Sequence, residues 1–196
     1  MQRVRLFLAI NLNSGTLNKL SKTTEELKSD FRDARWCKKD VMHLTIKFFG
    51  VIPLLSVVEI GKAVKSVVEK KESISFEVKG VGGFPSLENP RILWAGITEG
   101  KEEITKLAQD ISDALEEYDF IPERKNYVPH ITLARFKRGS KRSDEIITLP
   151  PNLTERSFGI TKANEVLLYS SDLIETGPFY SVVDRWEFKS CPLKRT

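Results

Sequence analysis

The sequence predicts an α+β fold rather than a doubly wound parallel sheet. Three observations lead there. Strand-like runs outnumber helix-like ones. No strand-like run is followed by a glycine-rich phosphate loop. Several helical stretches return to short strands whose pattern suits antiparallel partners. The order read along the chain is β-α-β-α-β-β-α-β-β-β. The 196 residues suffice for one domain or for two small lobes sharing a core. No Pro- or Ser-rich linker is long enough to separate independent domains, so residues 1–196 are expected to form one unit.

Residues 3–11 are rich in Leu, Phe and Ile and read as a strand. Asn13 or Ser14 can cap the helix that follows. Leu17, Leu20, Leu27 and Phe31 share one face of that helix. ARWC then leads through the polar KKD into a strand around His43, which FFG closes with Gly50 as a turn. Pro53 stands near the start of a second helix, whose apolar face is Val57, Val64 and Val68, widened by Val58, Ile60 and Val67. SISFEVKG alternates as a strand does, residues 82–90 read as a loop, and ILWAGI is the next strand.

Residues 101–118 place Ile104, Leu107, Ala108, Ile111, Leu115 and Tyr118 at spacings of three and four, the clearest amphipathic helix in the chain. PERKNY and a strand around His130 follow, then the charged loop KRGSKRSDE. FGITKANEVLLYSS and PFYSVVDRWEFK are two more strand candidates, joined by a loop with Gly177 and Pro178.

Composition excludes several classes. With 40% hydrophobic and 30% charged residues, the balance is that of a soluble globular protein. RLFLAINL is too short to span a membrane and lacks a secretory cleavage pattern, so the cytoplasm is the expected compartment. A net charge of +4 permits an anionic ligand without arguing for nucleic acid. Cys37 and Cys191 are too few for a disulfide framework and have no neighbours at metal-ligand spacing, so both read as idle thiols. No metal and no cofactor are expected.

The chain has two histidines, and both sit in one pattern. HLTI contains His43 and HITL contains His130, 87 residues later and close to half the chain. Each follows polar, basic residues and an amphipathic helix. A pseudo-symmetric pair of lobes, each with one histidine strand, follows from that echo. On a strand, His43 and Thr45 project to one side while Leu44 and Ile46 project to the other; His130 and Thr132 are set against Ile131 and Leu133 in the same way.

Two imidazoles and two hydroxyls facing one cleft suit a phosphodiester. One neutral histidine can take a proton from water while a protonated one gives a proton to the leaving oxygen. The threonine hydroxyls can donate to the non-bridging oxygens. Three residues past each threonine come Phe48, able to stack a nucleobase, and Arg135, able to grip a phosphate. Strict alternation puts both on the face opposite their histidine, so reaching the cleft requires a bulge, a twist or a strand end.

HLTIKF and HITLAR resemble the paired signatures of the two-histidine (2H) phosphoesterases. RLFLAI, HLTIKFFG, GGFP…PRILWAGI and PHITLARF stand in the order of the RNA 2′,3′-cyclic phosphodiesterase branch, also called the 2′-5′ RNA ligase family. The resemblance is detailed to about Phe136. It implies a bilobal α+β fold of two mainly antiparallel sheets, flanking helices and a central cleft. It implies action on RNA that ends in a 2′,3′-cyclic phosphate, leaving a 2′-phosphate, with weak reverse 2′-5′ joining; a monomer is the expected state. By motif position, it makes His43 the general acid and His130 the general base. Thr45, Thr132 and Arg135 would hold the phosphate, and Phe48 would stack the terminal base. Two alternatives stay open: an RNA- or nucleotide-binding module without turnover, and a 2H enzyme for another cyclic phosphate or a 2′,5′-oligonucleotide.

Overall fold

The computed structural model describes residues 2–31, 33–121, 127–136, 150–175 and 177–189. KRGSKRSDE, Cys191 and all of PERKNY except Tyr127 lie outside the described residues. Nine strands and three α-helices are present among those described: β1 (Arg3–Asn11), α1 (Ser14–Leu27), β2 (Ala34–Trp36), β3 (His43–Pro53), α2 (Ser56–Val68), β4 (Ile74–Phe84), β5 (Ile92–Ile97), α3 (Lys101–Glu116), β6 (His130–Phe136), β7 (Ser157–Ala163), β8 (Glu165–Ile174) and β9 (Gly177–Glu187).

The fold is α+β, and every strand pairing in it is antiparallel. The strand order is β7-β4-β5-β6-β3-β1-β8-β9, with β2 beside β6. The two sheets expected from the sequence are two halves of one hydrogen-bonded sheet. They meet at a narrow seam, where β3 and β6 pair through Leu44 and Ile131. The seam is narrow because β2 occupies the far end of the same β6 edge, at Ala134–Phe136.

The sheet is strongly curled. Tyr180 on β9 and His43 on β3 are three strands apart, roughly 14 Å across a flat sheet at about 4.8 Å per strand. Their ring centroids are only 5.5 Å apart. The face that carries them is therefore concave. The other face bears the main core, to which Leu6, Leu8 and Ile10 of β1, Leu44 and Ile46 of β3 and Ile131 and Leu133 of β6 all contribute.

The helices cover that second face. Asn13 caps α1, its side chain accepting from the Thr16 amide at 2.8 Å. α1 buries Leu20 and Leu27, together with Thr16, Thr23 and Thr24. α2 buries Ile60, Ala63, Val64 and Val68. Val58, expected on that face, is 62% exposed, because it lies about 100° round the helix from Val57. α3 buries Ile104, Leu107, Ala108, Ile111 and Leu115, as its periodicity requires.

Several boundaries differ from the sequence expectation. ARW is a strand of its own, held by β6. Gly50, at φ 69°, is an irregularity inside β3 rather than its end, and Pro53 closes that strand instead of opening a helix. β4 runs on through Gly82 and Gly83 to Phe84, because β5 pairs with it that far. FGITKANEVLLYSS breaks at Asn164 into β7 and β8, which sit at distant places in the sheet. β8 and β9 pair antiparallel up to Ile174 and Gly177, and Pro178, expected in a loop, is already within β9.

Gly100 caps α3 at φ 72°, and a Cβ there would strike the Ser75 carbonyl and Phe76. Gly50 has a similar φ of 69° but open space around it. Gly100→Ala is expected to cost about 2–4 kcal/mol in urea unfolding, and Gly50→Ala only about 1 kcal/mol of backbone strain. Equal losses would show that the close approach at Gly100 does not matter.

Candidate active site

The two histidine strands are irregular in the same way. In β3, Ala9 pairs with Thr45 but Leu8 pairs with Lys47, so Ile46 is an extra residue. In β6, Trp94 pairs with Thr132 but Leu93 pairs with Ala134, so Leu133 is extra. Both strands are bulged at the same place in their motif. The burial pattern shows the result. Leu44, Ile46 and Lys47 are buried in succession around Thr45, as are Ile131, Leu133 and Ala134 around Thr132. Each bulge resets the alternation by one residue. Phe48 and Arg135 therefore fall on the face of their histidine, not on the opposite face that strict alternation gave.

The seam brings the motifs together. The antiparallel register centred on Leu44 and Ile131, both fully buried, sets His43 on the side of Thr132 and Thr45 on the side of His130. A local twofold axis through this apolar pair relates the two strands. Tyr127 ties them further, its hydroxyl donating to the Thr45 carbonyl at 2.8 Å.

Each imidazole rests on aromatic groups. His43 stacks on Phe7 at 4.8 Å and meets Tyr180 edge-on. Phe7 is buried but stands outside the main core; it also touches Phe48, Tyr169 and Tyr180. Phe48 is 52% exposed above it, an open ring face on a closed base. On the other side, His130 meets Phe84 edge-on at 5.0 Å, with Trp94 at 6.4 Å. The Trp94 indole lies on Gly82, where any Cβ would displace it, and packs closely against Gly96. Phe7, Phe84 and Trp94 stand in RLFLAI, GGFP and PRILWAGI, but nothing local marks them or Tyr180 as neighbours of the histidines, nor Tyr127 as a partner of Thr45. The GGF of β4, a glycine pair followed by a ring, carries a local signal of close packing only.

The histidines are held alike. His43 Nδ1 donates to the Val41 carbonyl at 2.9 Å, and His130 Nδ1 donates to the Val128 carbonyl at 2.7 Å. A carbonyl can only accept, so each bond puts the hydrogen on Nδ1 and leaves Nε2 as the working nitrogen. Burial pushes the His43 pKa down to about 4; the Val41 carbonyl opposes this, while Arg135 and His130 add to it. His130 is lowered too, first by burial and then by Arg135, against the Val128 carbonyl. Arg135 thus acts on both imidazoles. Burial raises the thiol of Cys37, with Arg135 opposing. Among the described residues, no group of three or more His, Cys, Asp or Glu is placed to hold a metal ion, and no helix is long and apolar enough to cross a membrane.

A histidine that resists its proton when folded makes stability depend on pH. The unfolded chain binds that proton below about 6.5, the folded one only near 4, so stability is full above 6.5 and falls as pH drops through 4. The His43 share is up to roughly 3 kcal/mol. His43→Phe is expected to lose correspondingly less stability than wild type between those values in urea titrations. Parallel curves for the two proteins would contradict it.

Comparison with known proteins agrees with this architecture. Residues 17–163 match the model of the 2′-5′ RNA ligase superfamily. A Thermotoga maritima protein named RNA 2′,3′-cyclic phosphodiesterase is 32% identical over 190 residues, covering 95% of this chain and 96% of the relative. A protein of the same name from Methanothermobacter thermautotrophicus is 30% identical, covering 91% and 96%. In fold, the chain is similar to the crystal structure of a Thermus thermophilus protein, with a TM-score of 0.78 at 23% identity over 95% of this chain and 98% of that one. It is also similar to E. coli LigT, with a TM-score of 0.74 at 20% identity over 96% and 99%. With its curled antiparallel sheet and the match over three quarters of its length, the chain belongs to the 2′-5′ RNA ligase superfamily.

Proposed function

We propose that this protein is an RNA 2′,3′-cyclic phosphodiesterase that hydrolyses the cyclic phosphate end of RNA to a 2′-phosphate with two histidines. One observation carries the reading: two imidazoles on adjacent bulged strands, each with Nδ1 on a backbone carbonyl and Nε2 left to exchange a proton. The name shared by the relatives from T. maritima and M. thermautotrophicus supports the substrate. Both motif strands come from one chain, so a monomer supplies every group.

In the proposed reaction, His130 Nε2 takes a proton from water. The water oxygen attacks phosphorus in line with the ribose 3′ oxygen. The bond from phosphorus to that oxygen breaks, and His43 returns a proton to it. The Thr45 and Thr132 hydroxyls and the Arg135 guanidinium hold the non-bridging oxygens, where charge accumulates. Phe48 stacks the terminal base. The order of acid and base rests on motif position alone, because the two histidines are held by equivalent bonds.

The free protein favours two neutral imidazoles, whereas the reaction needs one proton between them. A bound phosphodiester supplies the missing field. Its negative charge offsets Arg135 and favours imidazolium beside it. The free protein and its substrate complex should therefore titrate differently.

His43→Ala and His130→Ala are each expected to lower turnover of a cyclic-phosphate RNA by roughly 10²–10⁴-fold with the fold retained by circular dichroism. Product analysis should find the phosphate on the 2′ oxygen; retention on the 3′ oxygen would overturn the assignment of the leaving group. The bell-shaped pH profile of kcat/KM, which reports the free protein, is expected to centre below 6.5, and that of kcat to lie at higher pH. Coincident profiles would mean that substrate charge does not set the protonation of the histidines.

A further inference from the structure

β2 is a strand of three residues, and its place in the sheet brings a second cation beside the site. It pairs with the same edge of β6 that β3 uses at the seam, so it continues the line of β3 past His43. Ala34 and Trp36 pack against the main core, with Trp36 beside Phe31 at 6.3 Å. Arg35, between them, must turn the other way, and it is exposed. The register sets it directly opposite Arg135, which the β6 bulge has already turned to the concave face. The Cys37 amide carries the pairing one bond further, donating to the Leu133 carbonyl at 2.8 Å.

Directly opposed residues of an antiparallel pair have Cβ atoms about 4.5–5.5 Å apart, and like charges so placed repel. No acidic group relieves this one: none of the ion pairs among the described residues involves Arg35 or Arg135. The field of Arg135 reaches both histidines, Cys37 and Tyr180. Two cations that repel when the face is empty are favourable together once each holds an anion. In the proposed hydrolysis, Arg135 has the cyclic phosphate and Arg35 has nothing. The reaction itself says where a second anion would lie. With His43 on the leaving side, the ribose whose 3′ oxygen departs lies there too. The 5′ carbon of that ribose carries the chain onward, and the next group along RNA is a phosphodiester. Arg35 stands past His43 on the same face.

We propose that Arg35 binds the phosphodiester on the 5′ side of the terminal nucleotide. The Arg35–Arg135 pair then reads two consecutive phosphates, and the site prefers the end of an RNA chain to a lone nucleoside cyclic phosphate. This rests on the reading of His43 as the acid on the leaving side. Arg35 touches no reacting atom; it is a specificity residue for what precedes the cyclic end. Its guanidinium, a planar fork of donors, suits a phosphodiester as Arg135 suits the cyclic one.

The test compares two small substrates: adenosine 2′,3′-cyclic phosphate with a free 5′-hydroxyl, and the same nucleotide carrying a 5′-methyl phosphate. The second has the single charge of an internal linkage and no second base. Wild-type protein is expected to favour it in kcat/KM. Arg35→Ala is expected to lower that preference roughly tenfold while turning over the 5′-hydroxyl substrate as wild type does. Arg35→Lys, which keeps the charge but not the fork, is expected to restore part of the preference. The slope of log kcat/KM against log salt should shrink by about 0.7 in Arg35→Ala, for the 5′-methyl phosphate substrate alone. Equal slowing of both substrates would overturn the proposal, because Arg35 would then serve the reacting phosphate or the fold. So would a wild-type protein that shows no preference between them. Turnover of neither substrate would instead overturn the functional reading, and this inference with it.

Discussion

Everything at the site depends on one apolar contact between two strands. Leu44 and Ile131 are fully buried where β3 meets β6, and they are the register pair that joins the halves of the sheet. Their side chains point into the core, so the residues on either side must point away from it. That fixes two histidines and two threonines on the concave face at once. The desolvation of two aliphatic chains, about 1.5–3 kcal/mol each, is what holds the polar groups in register. A slip of one residue would send the imidazoles into the core and the aliphatic chains into the cleft.

Much of this was legible in sequence because it is local. Strand alternation around each histidine, the amphipathic stripe of α3 and the Asn13 cap depend on neighbours a few residues apart. The twofold relation was legible too, as an echo at half-chain distance. The bulges were not. A bulge is a mismatch between two strands, and the partners that reveal it, Leu8 and Leu93, are remote in sequence from Ile46 and Leu133. Single-strand periodicity therefore put Phe48 and Arg135 on the wrong face. The aromatic lining was hidden for the same reason, since Phe7, Phe84, Trp94 and Tyr180 reach the histidines only through the order and curl of the sheet. β2 escaped notice because three residues carry too little periodicity to read.

The electrostatics of the face follow from its construction. The seam keeps the histidines half-buried, which strips water from them and lowers their hold on a proton. The bulge in β6 then adds Arg135, whose charge pushes the same way. Two carbonyls, from Val41 and Val128, are the opposing groups, and they orient the rings as they resist the shift. A site so arranged is short of one negative charge. That is the condition under which an anion binds and brings its own proton economy with it.

The matching bulges have one more consequence. A twofold frame has no front or back, and a ligand could enter it in either of two senses. Here the sixth position of each motif strand breaks the tie, with a ring on β3 and a cation on β6. Under the proposed chemistry, the heading of the RNA, and with it the labelling of one histidine as donor and the other as acceptor, is written at a single equivalent position in two copies of the same strand. Handedness of reaction thus requires no asymmetry of backbone. It is a matter of which side chain each copy exposes once its bulge has turned it outward.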